Sequence, residues 1–582
     1  MKRFFAFGFL VIFSWSSIPV IAKPSLISEP GLIRVTPPAP KFTDVERQTE
    51  LTRRRANAAK AMADKSAIIL FSAEPKIYAG DVDFLYRQEN NLFYLTNLKQ
   101  KNATLVLLKD GANVREILFL PKRNPANETW NGKMYSREEA TRISGIKTIV
   151  DASELNSFLQ SVKDKKSFTA KDESFSFTAF PENLYLLLPQ SPGDMDGERE
   201  YRKESEFSKS ITGYKIENAN PIFATLRLIK SPLEIKLMQH AINITTEAQM
   251  RSMAMVSRAN WEYEVQAEVE YTFRRRNADY WGYPSIVGCG PNATTLHYVE
   301  SQGEVKKGDL LLMDVGAEYE HYTADVTRTY PANGKFTKQQ AEIYQIVFDA
   351  QEAAAKTVKP GVSTFSDASR AVDKTVKEGL TKLNLITAPD ATYKVLYRGQ
   401  TVDMPQFKLW SLHGFGHWLG MNVHDVGDYA AKLQPGMIFT NEPGIYIRAD
   451  ALDYIPDLPE NKAFLAKIRP VFEKYKNIGV RIEDDLLVTE TGVEWMTKHL
   501  PRTISAIEAF MAKAPKEMPV AKFANAPANL VILDNNKFLL TDVLNSDSYL
   551  AGRTMSGKTV RRGWVSSIKD VNHFSFNHSH AE

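Results

Sequence analysis

The chain has 582 residues, 43% hydrophobic and 24% charged, with 30 Gly, 29 Pro and one Cys, which excludes collagen, disulfide scaffolds and low-complexity disorder. The length suggests three or four folding units, or two large ones with extensions. Lys and Arg number 73 against 69 Asp and Glu, a formal charge of +4, so neither nucleic acid nor an anionic membrane is indicated as partner, and a small substrate is expected. The single Cys289 cannot close an intrachain disulfide or build a CxxC site, so any metal falls to His, Asp and Glu.

At the N-terminus, Lys2 and Arg3 precede an apolar run from Phe4 to Phe13, and Val20-Ile21-Ala22 stands before Lys23. This reads as a secretory signal cleaved near Ala22, giving a periplasmic or secreted protein. The run is well short of the ~20 residues that span a bilayer, so no stable membrane anchor is expected. Cleavage lowers the formal charge from +4 to +2.

Residues Asp44 to Met62 have helical character and Ala67 to Phe71 reads as a buried strand, an α/β opening. Thr104 to Leu108 and Glu116 to Leu120 read as strands, and Ser136 to Ile143 as a capped helix. Residues from about Lys163 to Asn220 are polar and read as surface extensions leading to a linker. Ser231-Pro-Leu-Glu234 is a capping box with Pro in the first turn, opening a long helix with an apolar stripe of Leu233, Leu237, Ala241, Ile244 and Ala248. His240, near the edge of that stripe, reads as structural or solvated. A second helix is expected over Trp261 to Arg276, and two more over Lys338 to Val358 and Ser366 to Lys382, among strands beginning at Tyr283. From Pro515 onward only a hairpin at Asn529 to Leu540 is suggested.

The chemistry concentrates late in the chain. In Asp309-Leu-Leu-Leu-Met-Asp314-Val-Gly316, alternation puts Asp314 on the face of Leu310 and Leu312, where a carboxylate is costly unless paired or bound to metal. In Thr323-Ala-Asp325-Val-Thr327, Asp325 is set apart from its apolar neighbours, and a hairpin would aim both carboxylates at one site. His413-Gly-Phe-Gly-His417-Trp-Leu-Gly-Met-Asn-Val-His424 holds three of the ten histidines in twelve residues. Gly414, Gly416 and Gly420 there allow close backbone approach. A strand ends in Glu442 before Pro443-Gly444, and in Gly479-Val-Arg481-Ile-Glu483 alternation places Arg481 and Glu483 on one face.

On these residues the sequence resembles the pita-bread metallopeptidases, in particular the aminopeptidase P branch. That family's ligand order Asp, Asp, His, Glu, Glu is matched by Asp314, Asp325, His417, Glu442 and Glu483. The resemblance extends to Tyr283-Pro-Ser-Ile-Val, Leu296-His297-Tyr298, Tyr86 to Thr96 and Glu128-Thr-Trp-Asn-Gly132, covering about Glu46 to Arg502. It leaves out the tail, the stretch from Lys163 to Asn220, and insertions near Ala388 to Pro405 and Ala449 to Glu473.

The resemblance implies an α+β chain: a smaller α/β creatinase-like N-terminal domain before a C-terminal pita-bread fold, a curved antiparallel sheet with flanking helices. The expected boundaries are 1–22 signal, 23–220 N-terminal domain with lead-in and linker, 221–512 catalytic domain and 513–582 extension. It implies two divalent ions, Mn2+ first, with Co2+, Fe2+ or Zn2+ as alternatives. Four carboxylates balance two such charges, and an oxygen-rich set with one imidazole suits these metals. Ions about 3.5–4 Å apart share a hydroxide nucleophile. Asp314 would chelate one ion, His417 and Glu442 the other, with Asp325 and Glu483 bridging and Glu442 taking a proton. His424 would stabilise the oxyanion, His297 assist the leaving nitrogen, His413 line the proline pocket and Arg481 orient Glu483. The implied substrate is a peptide with proline at the second position, and relatives' habits suggest a homodimer or homotetramer. A dipeptide-restricted prolidase, a metal-free creatinase-like hydrolase and an inactive binding protein are the competing readings.

Gly552 to Thr559 fits GxxxxGK[ST], but lacks a preceding strand and a following nucleotide domain. His573, His578 and His580 read as a polar terminus, and Cys289 as a small residue beside tight backbone. HExxH and GxSxG are both missing from the sequence.

Overall fold

The computed structural model describes residues 31–178, 180–191, 194–518, 530–533 and 537–540. The signal segment, the phosphate-loop-like run at 552–559 and the three C-terminal histidines lie outside the described residues.

Thr43 opens the Asp44–Ala61 helix with a reciprocal capping box to Glu46. Beside it stands a six-stranded mixed sheet in the order Lys215–Asn218, Asn183–Leu186, Ser66–Phe71, Thr104–Asp110, Asn113–Leu120, Thr148–Asp151. The Ser66–Phe71 strand is buried throughout. Its alternate residues serve two cores: Ile68 and Leu70 face the layer that also holds catalytic-region residues such as Leu237, Ala241, Tyr322 and Leu419. Ala67, Ile69 and Phe71 face Phe158, Phe175 and Phe177.

The stretch from Lys163 to Asn220 is therefore not a set of surface extensions. Asn183–Leu186 pairs in parallel with Ser66–Phe71, and Lys215–Asn218 extends the sheet. Phe168, Phe175, Phe177, Leu184 and Leu186 are buried. The apolar content arrives as isolated aromatics and four-residue strands, which only long-range pairing assembles.

In the second half, Ser231 caps the Pro232–Met255 helix through the expected box with Glu234. The helix is buried well beyond its apolar stripe, with Thr245, Thr246, Glu247 and Gln249 all inside. His240 is buried too, edge-to-face on Tyr319 at 4.5 Å. The Glu262–Arg275, Lys338–Thr357 and Phe365–Lys382 helices stand where the periodicity placed them. Between them run antiparallel ladders: Ile286–Cys289, Leu310–Val315 and Val326–Pro331 in one, Ile438–Asn441 with Asp484–Val488 in another, and Gly444–Ile447 with Ile478–Arg481 in a third.

Two buried glutamines, one from each flanking helix, tie these ladders together. Gln249 donates to the carbonyls of Met313 (3.1 Å) and Val326 (2.8 Å). Gln351 donates to the carbonyls of Asn441 (2.9 Å) and Ile482 (3.2 Å) and to Asp484 Oδ2 (2.8 Å). Each therefore fixes backbone immediately beside the candidate ligands.

The two insertions meet in one module. The first is a hairpin of Thr392–Tyr397 and Gln400–Pro405, the second contains the Pro459–Tyr475 helix, and Tyr393 packs on Phe464. In the tail, Leu530–Leu533 pairs antiparallel with Lys537–Leu540, the hairpin expected there.

Candidate metal centre

All five candidate ligands line one cavity of about 460 Å³, together with His297, His413, His424, Arg481 and Tyr283. The Leu310–Val315 and Val326–Pro331 strands pair with Asp314 opposite Thr327. Asp325 lies one residue before the second strand, and a small hairpin of Ala317–Tyr319 and Tyr322–Thr323 closes the connection. The two carboxylates do face one site. The Tyr283 hydroxyl sits between them, against Asp314 Oδ1 and 2.5 Å from Asp325 Oδ1.

His417 is held by its backbone N–H on Thr440 Oγ1 (2.9 Å) and by Nδ1, which contacts the Trp418 carbonyl at 3.1 Å. A carbonyl only accepts, so Nδ1 carries a proton and Nε2 is the ring nitrogen left to serve as a donor atom for a metal. Nε2 faces Asp325 Oδ2 at 3.3 Å and Glu442 Oε1 at 3.2 Å. One imidazole nitrogen and two carboxylate oxygens converging on one point are a donor set that a divalent cation can occupy. Donor atoms of Asp325, His417 and Glu483 lie within 4.8 Å of one another. An oxygen-rich set with one imidazole suits a hard or borderline divalent cation, so the residues fit the metal that the sequence implies.

Electrostatics agree. Burial, and then the neighbouring Asp314 and Glu442 charges, push the Asp325 carboxyl well above the usual range. Glu483 is raised likewise by burial and by Asp325, Glu442 and Asp314. Asp314 differs: burial alone would raise it, but the Arg481 charge and the bonds from Tyr283 and Arg481 outweigh that and hold it below the usual range. Tyr283 is pushed far up by burial and both aspartates, so it stays a donor.

Arg481 does not orient Glu483 directly, contrary to the alternation argument. Its Nη2 donates to Asp314 Oδ2 at 2.5 Å, Nη1 to the Tyr446 hydroxyl at 2.6 Å and Nε to Thr327 Oγ1 at 3.2 Å. Thr327 in turn donates to Glu483 Oε2 at 2.6 Å. The Ile478–Arg481 strand ends at the arginine, so the two-residue period stops before Glu483.

The remaining histidines ring the cavity. His413 Nδ1 lies 2.7 Å from the Gly414 carbonyl, and its Nε2 is 2.7 Å from the Tyr446 hydroxyl. Tyr446 accepts from Arg481 and passes its own proton's hydrogen bond to His413. Burial lowers the pKa of both His413 and His424, and His417 lowers His424 further, so both are neutral at pH 7. His424 packs edge-to-face on His417 with ring centres 4.3 Å apart. His297 is exposed on the cavity wall. Of the three glycines, Gly416 abuts the Thr440 carbonyl and Gly420 abuts Asp425, whereas Gly414 has open space around it.

Tyr283, Thr327 and Tyr446 had no assigned role in the sequence. Tyr283 opens the Tyr-Pro-Ser run and Thr327 lies two residues after Asp325, so proximity to motif residues was the available signal. Cys289 is buried and its thiol pushed up to about 12, chiefly by burial, which makes it an inert small residue rather than a nucleophile.

Paired antiparallel ladders, a carboxylate-and-histidine cavity between them and an α/β domain in front define a metallopeptidase. Residues 236–490 match the model of metallopeptidase family M24 and residues 51–169 that of the aminopeptidase P N-terminal domain. The chain is 34% identical over 467 residues to the Xaa-Pro aminopeptidase of Haemophilus influenzae, covering 79% of this chain and 97% of that one. It is 33% identical to that of Escherichia coli, covering 82% and 100%. The solved structure of the Pseudomonas aeruginosa aminopeptidase PepP superposes with a TM-score of 0.65 at 30% identity, over 81% of this chain and 99% of that one. The chain belongs to the aminopeptidase P family, with its two-domain fold of N-terminal domain and pita-bread domain. It is a metal-dependent aminopeptidase, and the family implies divalent ions.

Proposed function

We propose that this protein is an exported aminopeptidase that hydrolyses the bond between an N-terminal residue and a following proline, using two divalent ions. The observation that carries the reading is His417 Nε2 turned toward Asp325 and Glu442, with Asp314 and Glu483 completing the ring of donors. Asp314, Asp325, His417, Glu442 and Glu483 would hold the ions. Four carboxylates balance two divalent charges, and Mn2+ is the first candidate, ahead of Co2+, Fe2+ and Zn2+. When bound, such ions lower the pKa of water and polarise the scissile carbonyl.

The chain supplies the rest. Glu442, the least enclosed of the four carboxylates and anchored by the Thr440 hydroxyl at 3.1 Å, accepts the proton of the attacking water. His424, beside His417, donates to the oxygen on which charge develops. The proline nitrogen of an X-Pro bond has no hydrogen and leaves only after gaining one; His297 on the cavity wall serves it. His413, held by Tyr446, lines the space for the proline ring.

The test is an Arg-Pro-Pro-type peptide incubated with purified mature protein, before and after chelation, and after return of single divalent metals. Loss on chelation with recovery on one metal supports the reading, and activity indifferent to chelation sinks it. A length series separates the prolidase alternative: cleavage of Xaa-Pro dipeptides without tripeptides or longer would favour that enzyme. Export rests on Lys2, Arg3 and the apolar run to Phe13, and N-terminal sequencing of the mature protein near Lys23 tests it. Self-association is supported by exposed apolar side chains on the N-terminal domain: Trp130 is 85% exposed, and the pairs Ile77–Tyr78 and Phe84–Leu85 stand out at the small hairpin of Ile77–Ala79 and Val82–Asp83. Light scattering on Trp130→Ala against the parent reads it out.

A further inference from the structure

The segment that carries His297 into the cavity runs from Cys289 to Gly303 and has little regular structure beyond a short 3-10 turn at Gly290–Thr294. Among the described residues, no hydrogen bond reaches the His297 side chain, so its place is set by its backbone. Both ends of that backbone converge on one carboxylate. Glu262, at the start of the Glu262–Arg275 helix, accepts from the Cys289 N–H at 2.6 Å through Oε1 and from the Gly303 N–H at 2.7 Å through Oε2. Its Oε1 also accepts from Asn292 Nδ2 at 3.0 Å, and Asn292 donates to the Tyr298 hydroxyl, again at 3.0 Å. Tyr298 is the neighbour of His297, and the same hydroxyl accepts from the Gln302 N–H at 3.1 Å. Leu296 and Tyr298 pack on a cluster containing Ile286, Leu312 and Tyr446, with His297 between them.

Glu262 is fully buried, and among the described residues no Lys, Arg or His forms an ion pair with it. Burying an unpaired carboxylate is costly, and here two backbone N–H groups and one side-chain amide offset that cost. Glu262 does not line the cavity, so whatever it contributes passes through the loop. We infer that Glu262 is a positioning residue for His297: by clamping both ends of the 289–303 loop, it sets the imidazole where the leaving nitrogen is protonated. This rests on the reading of His297 given above.

Glu262→Gln keeps the volume but turns an amide N–H toward a backbone N–H. Gly303→Ala reaches the same clamp from the other side, because a Cβ there would press first on the Asn292 side-chain amide that bonds Glu262 and would lie 2.7 and 2.8 Å from the two carboxylate oxygens. The experiment measures kcat and KM on a peptide with proline second, metal content, and hydrogen exchange of segment 289–303. It covers both variants, His297→Ala, and Glu262→Gln combined with His297→Ala. Expected are a 10- to 100-fold fall in kcat for each clamp variant, KM within about twofold, parental metal content and faster exchange in 289–303. In the His297→Ala background, Glu262→Gln should cost less than about twofold further. Fully additive losses, or metal lost in step with activity, would overturn the inference. Exchange that stays at the parental rate would overturn it even if the parent cleaves no Xaa-Pro peptide, an outcome that separately defeats the functional reading. Should Glu262→Gln not fold, Gly303→Ala with its own His297→Ala double variant carries the same test.

Discussion

Arg481 is bonded to Asp314 at 2.5 Å across 167 positions of sequence, both side chains being buried. The guanidinium also reaches Tyr446 and Thr327, so one planar group fixes a candidate ligand, the partner of His413 and the hydroxyl that holds Glu483. Lysine has the charge but not the fork. Arg481→Lys is therefore expected to keep the fold while lowering kcat about 10- to 100-fold and weakening metal retention. Steady-state kinetics together with metal analysis of the dialysed variant check it.

The metal-free and metal-loaded forms should respond to pH in opposite directions. In the metal-free chain Asp325 and Glu483 titrate well above the usual carboxylate range because they are buried beside other carboxylates. The native state then holds protons more tightly than the unfolded chain, so the stability these groups give is full below about pH 4 and lost as pH rises through their elevated native values. Acidifying the chelated protein from pH 7.5 to 6 should raise its Tm. In the loaded protein, protons compete with metal for the same oxygens and the same change should lower Tm. At a free metal concentration 100 times Kd the ion adds about 2.7 kcal/mol. Thermal melts of both forms across that range decide the matter, and parallel slopes would count against a metal at this cluster.

How much of this could be seen in the sequence follows from the range of the interactions. The helix cap at Ser136 and the capping box at Ser231 were legible because their partners lie three residues away. The five candidate ligands were legible because each stands in a short motif with distinctive neighbours. The sheet strands Asn183–Leu186 and Lys215–Asn218 were not, since four residues in a polar stretch carry no period: the first pairs with a strand more than a hundred residues upstream, and the second pairs with the first. The Arg481 assignment failed for a related reason. Alternation gives a face but not the identity of what is opposite, and Asp314 was in another ladder. Gln249 and Gln351 escaped because a glutamine in a helix reads as surface, and only the tertiary contact shows it bonding the strands that carry the site.

A second titration lies at the contact of the two halves of the chain. His321 is buried with its ring stacked on Phe93, 3.8 Å between centres, and its Nδ1 is 3.4 Å from Asn90 Oδ1. Burial holds its pKa well below the usual value, and the charges of Arg87, Lys99 and Arg227 add to this. For a base depressed in the native state, the stability is present above the unfolded value near 6.5 and is lost as pH falls toward the native one. The loss approaches about 1.4 kcal/mol per pH unit within that window. His321→Gln removes the titration, so in the metal-loaded protein its Tm should fall less than that of the parent between pH 7 and pH 5. Equal slopes would mean that His321 does not titrate in this window.

The module built from the two insertions offers a test of stability separated from chemistry. Asn461 is fully buried and treats the Lys394 backbone as a neighbouring strand would. Its Oδ1 accepts from the Lys394 N–H at 2.8 Å and its Nδ2 donates to the Lys394 carbonyl at 3.0 Å, with a further bond to the Pro456 carbonyl at 2.9 Å. Asn461→Ala removes all three and leaves those backbone groups unpaired where they are enclosed, at a cost of about 1–3 kcal/mol. No residue of the 392–405 hairpin or of the Pro459–Tyr475 helix lines the candidate metal cavity. The variant should therefore unfold at lower denaturant concentration, and its hairpin should become open to limited proteolysis. Its kcat and KM at 25 °C should stay within about twofold of the parent. A large kinetic defect with unchanged stability would instead show that the module acts on the site through the Trp410 to Phe472 packing that joins them.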